Sequence, residues 1–81
     1  MPVVLRHKGC RFFFSSNEGH PQEPLHIHVR RGESVAKIWL APFTCLDESF
    51  GFNPSELREL LEVAEDNRER IERSWHEYFG H

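Results

Sequence analysis

The run His26-Ile27-His28-Val29-Arg30 alternates without a fault. Successive side chains of a strand point to opposite faces of a sheet. Ile27 and Val29 therefore turn one way, into a core, while His26, His28 and Arg30 turn the other. Pro24 stands before the run and Gly32-Glu33 after it, so turn-forming residues bound it at both ends. A chain built around this strand needs a hydrophobic layer on one face. On the other it needs a use for two imidazoles and a guanidinium.

The rest of the first half reads as hairpins. Val3-Val4-Leu5-Arg6-His7 and Cys10-Arg11-Phe12-Phe13-Phe14-Ser15 flank Lys8-Gly9, a two-residue turn. That register pairs His7 with Cys10, Leu5 with Phe12 and Val3 with Phe14 on the core side. Val4, Arg6, Arg11, Phe13 and Ser15 take the other side, with Arg6 directly opposite Arg11. Like charges so placed destabilise a sheet, which makes the pair a candidate anion site. Residues 16–22 form a loop that carries Glu18 and His20. The histidine strand then returns through Gly32-Glu33 into residues 34–40. Val29 meets Ala36 and Ile27 meets Ile38 inside; His28 meets Lys37, His26 meets Trp39 and Arg30 meets Val35 outside. Pro42 ends this strand, and Phe43-Thr44-Cys45-Leu46 fits a short fifth strand or a turn of helix equally well.

The second half is helical. Asn53 suits an N-cap, Pro54 the first helical position, and Glu56 completes a capping box. Leu57, Leu60, Leu61, Ala64, Ile71, Trp75 and Tyr78 form one apolar stripe, interrupted by Arg68, and Gly80 is a natural stop. Unbroken from residue 54 to 79, the helix would be about 39 Å long, against about 20 Å for an ordinary strand. Either it breaks near Asp66-Asn67, or its far end packs on something else, a second subunit being the economical choice. The expected architecture is α+β: an antiparallel sheet of about four strands in two hairpins, with a long C-terminal helix packed on one face. A single domain over residues 1–81 accommodates it, with a sheet half over 1–42, a linker or short strand over 43–52 and a helix over 53–80.

Charge divides along the same line. Residues 1–42 hold six Lys/Arg against three Asp/Glu, and residues 43–81 hold four against ten, so a basic sheet half meets an acidic helical half. Hydrophobic content of 38% with 28% charged residues is that of a globular rather than a disordered chain. No apolar run reaches the ~20 residues of a membrane span, and the first residues lack a signal-peptide pattern, so a cytoplasmic location without membrane attachment is the expectation. Cys10 and Cys45 are too few for a disulfide scaffold and lack metal-motif spacing; both are expected as reduced thiols.

Several segments together carry a resemblance. Met1-Pro2-Val3-Val4-Leu5-Arg6, Arg11-Phe12-Phe13-Phe14-Ser15-Ser16-Asn17-Glu18, His26-Ile27-His28-Val29 and Ala36-Lys37-Ile38-Trp39-Leu40 come in this order. Gly51-Phe52-Asn53-Pro54 and Trp75-His76-Glu77-Tyr78-Phe79 follow. The whole is similar to a bacterial family catalogued as domain of unknown function 4160. The resemblance implies a short, stand-alone protein, often encoded beside another small protein in an arrangement like that of toxin–antitoxin pairs. It implies no catalytic residue.

The face opposite the core gathers Arg6, Arg11, Phe13, His26, His28, Arg30, Lys37 and Trp39. Three uses compete. Arg6, Arg11, Arg30 and Lys37 with Phe13 and Trp39 suit RNA, the cations on phosphates and the rings on unpaired bases. Cleavage would add His26 and His28 as general acid and base, with Glu18 able to replace either. Alternatively His26 and His28 hold a transition metal such as zinc or nickel, with Glu18 or His20 as further ligands; otherwise no cofactor is expected. Finally, the face is an interface, to a second copy in a homo-oligomer or to a cognate small protein from a neighbouring gene. The reading that spans these is a small interaction module, binding RNA or a cognate protein, in a toxin–antitoxin-like setting.

Overall fold

The computed structural model describes residues 3–15 and 23–80. Five strands, β1 (Val3–His7), β2 (Cys10–Phe13), β3 (His26–Arg31), β4 (Ser34–Trp39) and β5 (Cys45–Phe50), precede two helices, α1 (Pro54–Asp66) and α2 (Arg68–Phe79). Each strand pairs antiparallel with the next, in the order β1-β2-β3-β4-β5. The sheet thus has five strands where about four were expected, because Cys45–Phe50 takes the short-strand alternative left open for residues 43–52 and pairs along β4.

The hairpin registers follow their turns. Lys8 and Gly9 both have positive φ, the geometry that lets a two-residue turn match strand twist. Arg6 lies opposite Arg11 and Leu5 opposite Phe12, as expected, but Val3 pairs with Phe13, not Phe14. A bulge between Val3 and Leu5 inserts Val4, which is buried and not on the open face. The β3–β4 pairing matches the expected register at every position, from His26 opposite Trp39 to Arg30 opposite Val35. A second irregularity, at Asp47, puts Leu46 opposite Ile38 and Glu48 opposite Lys37.

One face of the sheet is covered. Leu5, Phe12, Ile27, Val29, Ala36 and Ile38 join Leu60 and Ala64 of α1 and Ile71 and Trp75 of α2 in one buried cluster. Cys10 packs there too, and burial pushes its thiol up. Tyr78, placed on the apolar stripe by its spacing, is instead 39% exposed and stacks on Phe14.

The helix is not one piece. Its start carries both halves of the capping box: Asn53 accepts from the Glu56 amide at 2.8 Å, and Glu56 accepts from the Asn53 amide at 2.9 Å. Asn67, with φ −112° and ψ 21°, leaves the helical conformation and donates its side-chain amide to the Val63 carbonyl at 2.8 Å. The two helices are 13 and 12 residues long, about 20 and 18 Å. Neither outruns a strand, so length no longer requires a second subunit. Arg68 holds the break against the sheet. Its guanidinium donates to the Leu40 carbonyl, to the Thr44 hydroxyl at 2.5 Å and to Glu65 at 3.1 Å. Leu40 is fully buried, so its carbonyl depends on that donor. Arg68→Met should destabilise the protein by about 1–3 kcal/mol in urea unfolding, the cost of an unsatisfied buried acceptor.

Three carboxyls of α1 release their protons more readily than usual. Glu56 is held down by the Asn53 amide and by Arg31, Glu59 by His7 and Lys8, and Glu65 by Arg68 and Thr44. As pH falls, the unfolded chain takes up protons before the folded one. The stabilisation is therefore present above the ordinary glutamate range and lost as pH drops through the lowered folded values. Replacing all three by Gln should flatten the acid limb of a stability curve measured between roughly pH 3 and 7.

Candidate functional site

Among the described residues, no helix packs on the other face of the sheet. Cross-strand pairing lays its residues out in rows. Arg6 of β1, Arg11 of β2 and Arg30 of β3 stand side by side, and the row continues through Val35 to Phe50. The next row runs Phe13, His28, Lys37, Glu48. At the end of the sheet come His26, Trp39 and Cys45.

Neighbouring strands are about 4.8 Å apart, so the three arginines form a ladder of like charge. All three are exposed. Among the described residues none of them has an ion-pair partner. Arg30 donates its Nε to the Gly32 carbonyl at 3.1 Å, and among the described residues its terminal nitrogens make no hydrogen bond. The other cations behave differently. Arg31, on the covered face, bonds Glu56 at 2.5 Å and lies over the Phe52 ring. Lys8 bonds Glu59 at 2.9 Å. Lys37 lies 4.5 Å above Trp39, with Glu23 at 3.7 Å and Asp47 at 3.8 Å. Lys37 thus shares the face with the arginines, but its charge is already matched.

The histidines part company. His28 is half-buried and stacks on Phe13, with centroids 5.7 Å apart. His26 is fully buried, contrary to its expected exposure. Trp75 of α2 reaches the end of the sheet and packs on Phe14 and on His26, while Trp39 closes another side of the imidazole at 5.1 Å. The Pro24 carbonyl can only accept, so Nδ1 of His26 donates to it at 2.9 Å, which sets the ring's orientation. Alternation along the strand could not see that a tryptophan of α2 would pack against this ring, with centroids 5.3 Å apart.

An exposed pair of imidazoles, as general acid–base cleavage would need, is therefore not formed. Glu18 and His20 lie outside the described residues. Among the described residues, no three His, Cys, Asp or Glu side chains converge where a metal ion could sit. Two residues of the face escaped notice in the sequence, Glu48 and Phe50. Their placement depends on the β5 register, which no periodicity announced.

Residues 9–76 match the family described as Domain of unknown function (DUF4160). The chain belongs to that family. Among curated proteins and solved structures, no relative matches it. Among the described residues, no helix is long and apolar enough to cross a membrane. Membership leaves function open, so the site must be read from its chemistry.

Burial separates the two histidines by experiment. His26→Ala should cost about 2–5 kcal/mol in chemical unfolding, as truncation of other buried side chains does. His28→Ala, half-exposed, should cost less than about 1 kcal/mol. Equal losses would mean that His26 is not enclosed.

Proposed function

We propose that this DUF4160 protein binds single-stranded RNA on the open face of its sheet. The observation that carries the reading is the arginine ladder Arg6–Arg11–Arg30, three cations on adjacent strands with no acidic partner among the described residues. Like charges placed directly opposite one another destabilise a sheet. A polyanion relieves that repulsion and releases counterions as it binds. The rings beside the ladder favour unpaired bases. Phe13 and His28 present a stacked pair, and Phe50 is 71% exposed. Stacking of one base on such a ring is worth about 1–3 kcal/mol. A sheet face suits splayed single strands better than the grooves of a duplex.

The activity proposed is binding rather than cleavage, since only His28 of the two imidazoles remains on the accessible part of the face. In a two-gene, toxin–antitoxin-like setting, an RNA-binding face would belong to either partner. A cognate protein is the second reading. It is favoured by Phe43 and Phe50, 65% and 71% exposed, at the two ends of edge strand β5, where a partner chain or a second copy could pair.

Affinity for a short single-stranded RNA, followed by fluorescence anisotropy against salt, tests the proposal. Three phosphate contacts predict a log–log slope of about −2, and each Arg→Gln change in the ladder should remove about 0.7 of it. Absence of salt-dependent binding to RNA, or equal binding by the triple Gln variant, would sink the reading. Co-elution with the neighbouring gene's product in its place would select the second.

A further inference from the structure

The arginine row does not end in open surface. It leads into a hollow of about 290 Å3 on the β4–β5 side, lined by His28, Val35, Lys37, Glu48 and Phe50 among others. Ligand pockets span about 300–1,000 Å3, so this one suits a single small ring system, not an extended cofactor. Its walls include an exposed aromatic ring, Phe50, and an imidazole, His28.

The hollow also contains an acid in the wrong place for phosphate. Glu48 faces Lys37 across the strands, yet Lys37 is drawn to Asp47 and Glu23. Among the described residues Glu48 has no ion-pair partner, although an arginine row lies next to its own. A carboxylate is an acceptor only. Beside a phosphate track it repels the backbone, so what it can recognise is a donor-bearing base. Of the four bases, guanine presents two adjacent N–H donors on its Watson–Crick edge, N1–H and the N2 amino group, matched to the two oxygens of one carboxylate. Uracil presents one, flanked by acceptors.

Resting on the RNA reading, we infer that the Glu48–Phe50 hollow is a guanine subsite. The base stacks on Phe50, its N1–H and N2–H donate to Glu48, and the flanking phosphates lie on Arg30 and Arg11. The strand then crosses the sheet perpendicular to its β-strands, from β5 towards β1.

The test compares a labelled oligouridylate with the same strand carrying one internal guanosine, adenosine or cytidine. A good bidentate base contact predicts about ten-fold tighter binding of the guanosine strand than of oligouridylate. Glu48→Gln should remove that preference, read as the ratio of guanosine-strand to oligouridylate affinity measured on the same variant, and Phe50→Ala should weaken the guanosine strand most. Both residues are exposed, so the variants are expected to fold. Equal binding of all four strands, or a preference for adenosine or cytidine, overturns the guanine subsite and leaves the arginine ladder standing. Failure of every strand to bind overturns the RNA reading and the subsite with it.

Discussion

A strand hydrogen-bonded on both sides has no freedom to turn over. β3 is that strand, paired with β2 along one edge and with β4 along the other. Its two-residue period therefore decides both faces of the sheet at once. Ile27 and Val29, essentially inaccessible to water, commit one face to the helices. Arg30 is committed to the other, and register then puts Arg11 and Arg6 beside it. A slip of one residue would bury a guanidinium and expose an isoleucine, a cost no local interaction could offset.

The division of charge between the halves of the chain acquires a structural meaning from this arrangement. The basic residues on the covered side or at its rim are neutralised by the acidic helix: Lys8 by Glu59, Arg31 by Glu56. Arg68 within the helical half is matched by Glu65. The acids of α1 thus serve as internal counter-ions. Among the described residues, Arg6, Arg11 and Arg30 have no such counter-ion on the open face. The molecule is polarised by topology more than by net charge, and a cation ladder of this kind attracts anions from a distance as well as holding them.

Much of the architecture was legible because local chemistry and periodicity agreed. Lys8-Gly9 and Gly32-Glu33 are turns of two residues, so the pairing of each hairpin followed from its loop. Asn53, Pro54 and Glu56 announced the start of α1. The departures arose where packing chose between equal local options. The Val4 bulge turns an extra valine into the core, and the Asp47 irregularity lets Leu46 face Ile38 while Asp47 reaches Lys37. Each inserts a residue that alternation alone reads as continuous strand. The fifth strand was ambiguous for the same reason: its residues are mostly exposed, and an edge strand needs little hydrophobic pattern to pair. In the site, the arginines and Phe13 were readable from their own strands. Glu48 and Phe50 were not, because they depend on that edge.

By itself the amino-acid order determined which residues of each strand share a face, where the hairpins turn and where the helix begins. These are short-range properties, set by the chirality of the backbone and by the few conformations a turn allows. Only tertiary structure decided that the helix would break at Asn67, with Arg68 pinning the sheet, and that Trp75 would pack against a buried His26 while His28 stays half-exposed. Burial is a relation between distant parts of a chain. Two histidines with the same local pattern were given different fates by what came to lie against them.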